Sequence, residues 1–401
     1  MTGPGSSGWW ATRSSTPTGP IASTTTTPRI PTTSSVGIAP EGDHVRLNRR
    51  AVESDLLVYV NLNLVPMNGH KSVTVGLCDY LSVSAHHNTH TLHQCKSYFD
   101  PRPQSQLQKI MDRMGRLVDE ARCLPHRDHH QQPHVRWADR TPTGPSAPGA
   151  TSTAPEFHAS NAALDRMPEA AARRKIFDQI AAPYGVIAVH AGKTEPTHQK
   201  ILQKSFEQYA VPVKGQADVV VMGVAPITPY SVYSIMNPIL VQVMVLGYLF
   251  NMYRGVPLVK EGGVIIAFHP CREEFHREHH PSYVEFYHRM LAISTNSYDI
   301  HKFEKEFVEN PDYIHMYRKG HAYHPVHPFY MWYWGDAGRK WVKNQVIIVD
   351  ADHPRVPTHL GWHNARTLDE ALEMAQTMTG KSAPEVTMFH CPPIMICDVE
   401  A

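Results

Sequence analysis

The sequence predicts an α/β protein of two domains, the C-terminal one a parallel sheet covered by helices. Three observations carry that prediction. The runs ADVVVMGV (residues 217–224), VIIAF (264–268) and VIIV (346–349) are short and continuously apolar, as strands buried on both faces must be. Helical patterns separate them, which is the alternation of a parallel sheet. A late helix is fully punctuated: Thr367 stands at its cap, Glu370 completes a capping box, Leu368, Ala371, Leu372, Ala375 and Met378 share one face, and Gly380 ends it.

The earlier elements follow in chain order. Residues 1–43 are dominated by Ser, Thr, Pro and Gly and read as a disordered tail, too poor in apolar groups to offset the entropy of ordering. Val58, Val60, Leu62 and Leu64 alternate with Tyr59, Asn61 and Asn63, the period of a strand with one buried face. A turn at Asn68-Gly69 comes next. Leu107, Ile110, Met111, Met114, Leu117, Val118 and Ala121 recur as the stripe of an amphipathic helix. Residues 123–156, rich in Pro, His and Thr, read as a low-complexity linker or insertion. The run from Ile239 to Phe250 is too short to span a bilayer and suits a buried helix.

Composition narrows the function. With 38 basic and 37 acidic side chains the net charge is +1, which gives no electrostatic footprint for nucleic acid or an anionic membrane. Six irregularly spaced cysteines, Cys78, Cys95, Cys123, Cys271, Cys391 and Cys397, form neither a disulfide framework nor a CxxC zinc pair. A reducing cytoplasm is the expected location, since the first residues also lack the apolar core of a secretory signal.

Several motifs invite a role and are outweighed. GVIAVHAGKT (185–194) places six residues between Gly185 and Gly192 where a phosphate loop needs four, and no GxGxxG follows a predicted strand. His276, His279 and His280 fall in EFHREHH, which is neither HExxH nor HxxEH, so solvated or capping roles are expected of them. HAYHPVHPFYMWYWG (321–335) either walls a pocket or packs a core, and packing is the commoner use of such rings.

The remaining constellation is NGHKSVTVGLCDYLSVSAHHN (68–88), in which His87 follows Lys71 by sixteen residues inside an apolar, Gly-punctuated run. Taken alone, Lys71 reads as a surface charge and His87 as a satisfied core histidine.

The segment VNLNLVPMNGHKSVTVGLCDYLSVSAHHN resembles the cofactor-anchoring segment of the nickel-dependent lactate racemase family. In that family a GGxKS-type turn carries a lysine bound covalently to a nickel-pincer nucleotide (the nickel complex of pyridinium-3,5-bisthiocarboxylic acid mononucleotide). A histidine sixteen residues later ligates the nickel. VIAVHAGKTEPTHQK, ADVVVMGVAPITPYSVYSIMNPILVQ and VKEGGVIIAFHPC are similar to later parts of the same family.

The resemblance implies residues 44–122 as part of an N-terminal cofactor-anchoring domain, 157–205 as its remainder and 206–401 as the C-terminal α/β domain. It implies Lys71 as cofactor anchor beside Gly69, and His87 as metal ligand. His86, Asn61 and His198 would handle protons or orient groups, while Asn237 and Gln242 are weak candidates for contacting substrate. The function so implied is an isomerase: a racemase or epimerase of a 2-hydroxy acid that works by hydride abstraction and return, with cofactor-building enzymes as partners and neither nucleic acid nor membrane. The chain also departs from the family. Asn61 stands where the family has a catalytic histidine, and no DxxR motif precedes Lys71, so a divergent or N-terminally incomplete member is expected. The alternative reading is a binding protein of the same shape without catalysis, and a metal-dependent hydrolase using the histidine clusters is a third.

Overall fold

A computed structural model describes residues 33–39, 41–57, 69–95, 105–122, 172, 175, 188–231, 235–389 and 395–400. The chain divides into two compact units, Met1–Leu124 with His190–Ala401, and Pro125–Val189. Nearly all of the second unit and the whole of the window 123–156 lie outside the described residues, as does the strand expected over 58–64.

The first unit is α/β. Among the described residues its largest sheet has five parallel strands in the order β8-β7-β6-β4-β9: β4 (Ala217–Gly223), β6 (Val259–Phe268), β7 (Val346–Val349), β8 (His363–Ala365) and β9 (Val386–Met388). Alternation within the apolar runs explains why they carry no polar face. Val219, Val221, Val264, Ile266, Ile347 and Val349 point to one side, where Ala371 and Ala375 of the Leu368–Thr379 helix cover them. Val220, Met222, Ile265, Ala267, Val346 and Ile348 point to the other and join the main core of Ile239, Leu240, Phe286, Phe329 and Trp332. Both faces are dry, as the sequence pattern required.

The Leu368–Thr379 helix has the ends expected of it. The Thr367 side chain accepts from the Glu370 amide at 3.2 Å, and Gly380 closes the helix at φ 66°. One detail differs: the Glu370 carboxylate accepts from the Arg366 amide at 2.7 Å, reaching one residue beyond the usual return bond of a capping box.

A second, three-stranded parallel sheet has the order β3-β10-β5, from Ala210–Lys214, Ile396–Glu400 and Tyr253–Gly255. A β1-β2 hairpin, Thr33–Ile38 with His44–Asn48, is antiparallel. The Ser- and Thr-rich stretch read as a tail over 1–43 therefore includes a strand, because TSSVGI supplies β-branched residues and HVRLN supplies a partner whose Val45 and Leu47 are wholly buried. The hairpin packs on the Gln106–Arg122 helix through Ile110, Met114 and Val118 of the predicted stripe.

The run 239–250 is buried except at Met244 and Tyr248, which are half-buried. Pro238–Gln242 is α-helical and continues as a π-helix over Val243–Leu249. Aromatic residues of 321–335 form the His327–Trp334 helix, buried from Pro328 to Trp334. Among the described residues no helix is long and apolar enough to cross a membrane.

Candidate functional site

Lys71 opens a four-residue helix, Lys71–Thr74, whose first turn is tied by the His70 carbonyl accepting from the Val73 and Thr74 amides at 3.0 and 2.9 Å. Two imidazoles hold the approach to it. A Cβ on Gly69 would lie 2.7 Å from Cγ of His198, so glycine is demanded there by the close approach of a ring. His70 is pressed over Gly115 of the Gln106–Arg122 helix, where a Cβ would come within 2.1 Å of its ring. Its Nδ1 faces Asp112 at 3.4 Å and its Nε2 faces Asp119 at 3.1 Å. Burial opposes a charge on His70, but the two carboxylates outweigh it and push the pKa up to about 9. Asp119 also accepts from Thr194 Oγ1 at 3.3 Å, linking this clamp to the helix that carries His198.

His86 and His87 sit in the link between two short helices, Tyr80–Ser84 and Thr89–His93. Asn88 fixes that link from both ends. Its side-chain amide donates to the Ser84 and Ala85 carbonyls at 2.9 and 3.0 Å, and its oxygen accepts from the Thr91 amide at 2.9 Å. The two imidazoles are thereby turned inward. His86 is completely buried, its Nε2 3.0 Å from the Thr74 carbonyl and its Nδ1 2.6 Å from Nδ1 of His87.

The two ends of the constellation meet at one indole. Lys71 Nζ lies 5.4 Å from the Trp334 ring centre, and the His87 ring meets that ring edge-on at 5.2 Å between centres. Tyr330, one turn earlier on the same helix, tilts against His87 at 5.5 Å, and Tyr248 stacks on Trp334 at 6.3 Å. The wall is aromatic and poor in charge. Burial lowers the Lys71 pKa to about 8 and that of His86 to about 4, and holds His87 well below the usual histidine range, with the neighbouring His86 and Lys71 adding to it.

No family model and no curated protein matches the chain. Among solved structures it is similar to the lactate racemase apoprotein from Thermoanaerobacterium thermosaccharolyticum, with a TM-score of 0.49 and 15% identity over 92% of this chain and 69% of that one. A likeness of that degree leaves function to be argued from the residues themselves.

Of the residues singled out by sequence, the fold brings Lys71 and His87 to one aromatic wall, sets His86 against His87, and places Gly69 and His198 against each other beside the Lys71 turn. Asn61 lies outside the described residues. Asn237 and Gln242 are fully buried in other service. The Asn237 oxygen caps the Pro238–Gln242 helix, accepting from the Ile239 and Leu240 amides, each at 3.1 Å. Gln242 Nε2 donates to the Trp332 carbonyl at 3.4 Å. His70, Asp112, Asp119 and Trp334 were not singled out by sequence. Asp112 and Asp119 lie seven positions apart with Gly115 between them, a helix face with two carboxylates and a socket; that spacing was the available signal. In the His276 cluster, His280 stands at the N-cap position of the Pro281–Glu285 helix but makes no side-chain capping bond; it is fully buried, with its Nε2 2.9 Å from the Tyr230 carbonyl, rather than solvated or capping.

Proposed function

We propose that the chain is a nickel-pincer-nucleotide-dependent racemase or epimerase of a small 2-hydroxy acid. The observation that carries this reading is the convergence of Lys71 and His87 on Trp334, an amine and a buried neutral imidazole facing one aromatic wall.

The residues fit such a cofactor. Lys71 would anchor it and His87 would ligate its metal, and the bound cofactor would supply the metal's remaining donors and the capacity for reversible hydride transfer. Among the described residues no group of three or more His, Cys, Asp or Glu side chains can hold a metal, so a metal beside His87 would draw its other donors from a bound group.

The chain's own contribution is preparation. A lysine whose pKa is lowered to about 8 has a substantial unprotonated fraction near neutral pH, and only that form attacks an acyl carbon. Once acylated it carries no charge, so it rests against the indole without the desolvation cost that an ammonium there would carry. Metal ligation needs an imidazole free of its second proton, the state burial imposes on His87. His198 and His70 orient the turn that carries Lys71.

The test is production of the full chain alongside the cofactor-building enzymes, followed by peptide mass spectrometry and nickel analysis. The reading predicts nickel and a covalent adduct on the Lys71 peptide, both lost in Lys71→Ala, and racemisation of at least one member of a panel of 2-hydroxy acids. An unmodified Lys71 peptide under those conditions sinks it. A normally folded chain with neither adduct nor racemisation would favour the non-catalytic binding protein of the same shape.

A further inference from the structure

The hydrogen bonds of His86 determine which nitrogen of His87 is available. The Thr74 carbonyl can only accept, so His86 Nε2, 3.0 Å away, carries a proton and donates it. A fully buried imidazole held between a carbonyl and another ring is neutral, because an imidazolium there would lose its hydration. His86 Nδ1 is then a bare lone pair. The 2.6 Å contact between His86 Nδ1 and His87 Nδ1 needs one proton, and His87 has to supply it. His87 therefore holds its proton on Nδ1, and its Nε2 is left with a lone pair.

We infer that His86 is a positioning residue that fixes His87 in the Nδ1–H tautomer and so assigns its Nε2 as the ligating atom. The relay runs from the Thr74 carbonyl through His86 to His87, with every proton placed by the acceptor at its start. It is the arrangement by which a metal-bound imidazole is commonly oriented, its second nitrogen donating to a fixed partner. Here the partner is a second imidazole, itself locked by the backbone of the helix that Lys71 opens. His87 being a ligand rests on the proposed function; the tautomer does not.

The experiment is long-range proton–nitrogen correlation NMR on the full chain labelled with 15N-histidine near neutral pH, with signals assigned by His86→Gln and His87→Gln. The expected result is a protonated Nδ1 and unprotonated Nε2 on His87, and the reverse on His86. His86→Leu should return His87 to a mixture dominated by the ordinary Nε2–H form. His86→Gln should restore the Nδ1–H pattern, since its amide nitrogen can donate to Thr74 and its oxygen accept from His87. A protonated Nε2 on His87 in the unaltered chain overturns the inference and needs no variant to fold. So does a His87 pattern that His86→Leu leaves unchanged. A missing Lys71 adduct would end the proposed function while leaving this tautomer pair readable, and a reversed tautomer would leave the adduct untouched.

Discussion

Lys71 and Trp334, 263 positions apart in the chain, meet with the lysine Nζ 5.4 Å from the centre of the indole. Two effects compete there. A ring face attracts the ammonium by about 0.5–2 kcal/mol, whereas loss of hydration favours the neutral amine. Desolvation prevails, lowering the pKa to about 8. The acylation rate of Lys71 should therefore rise with pH along a curve with its midpoint near 8. Competitive labelling at a series of pH values, read by peptide mass spectrometry, checks this; a Lys71 profile matching that of exposed lysines would refute it.

The charge on His70 should make stability fall as the solution becomes alkaline. Its folded pKa of about 9 lies above the ordinary value of 6.5, so the folded state binds the proton more tightly than the unfolded chain. The contribution is complete below pH 6.5 and is lost as pH climbs through 9. His70→Gln should flatten the decline in that window. His70→Ala, which strands the nearly buried Asp112 without its cation, should cost roughly 3 kcal/mol. Urea midpoints measured at several pH values between 6 and 10 decide both.

The late helix offers a test of the fold independent of any function. Thr367→Ala removes the side-chain acceptor of the Glu370 amide and should destabilise the protein by about 1 kcal/mol. Gly380→Ala places a Cβ at φ 66° and should cost about 1 kcal/mol through backbone strain alone, since nothing lies within 4 Å of the new methyl. Thermal midpoints of the two variants and of their combination should show additive losses, as the sites share no partner.

Elements decided by local rules were legible in the sequence. β4, β7 and the second half of β6 fall on apolar runs because strand segments buried on both faces are built mainly of apolar residues, whereas the start of β6, with Lys260 and Glu261, lies before the run that marked it; the Leu368–Thr379 helix carries its own caps. What a distant partner decides was hidden. TSSVGI becomes a strand only through its pairing with HVRLN, and nothing in its own composition distinguishes it from the residues before it. The site divides in the same way. Lys71, His86 and His87 were visible as a spacing, while Trp334 was one ring in an aromatic run until the fold turned it toward them. His70 stood beside Lys71 unnoticed because its meaning lies in two carboxylates more than forty positions away.

Gly69 and His198 should be strongly coupled in energy. A methyl at position 69 would sit 2.7 Å from Cγ and 2.8 Å from Cβ of His198, atoms close to the backbone that cannot swing aside as a long side chain would. Gly69→Ala should cost about 1–3 kcal/mol by overpacking and displace the turn that presents Lys71. His198→Ala removes the obstruction at the price of a small void. If the contact is the reason for the glycine, the double variant should be more stable than the sum of the two single losses predicts, by at least 0.5 kcal/mol. Chemical denaturation of the four proteins gives the coupling directly. In parallel, the pH profile of Lys71 acylation should shift in Gly69→Ala and recover in the double variant. Strict additivity together with an unmoved Lys71 profile would show that His198 merely lies beside the turn without holding it.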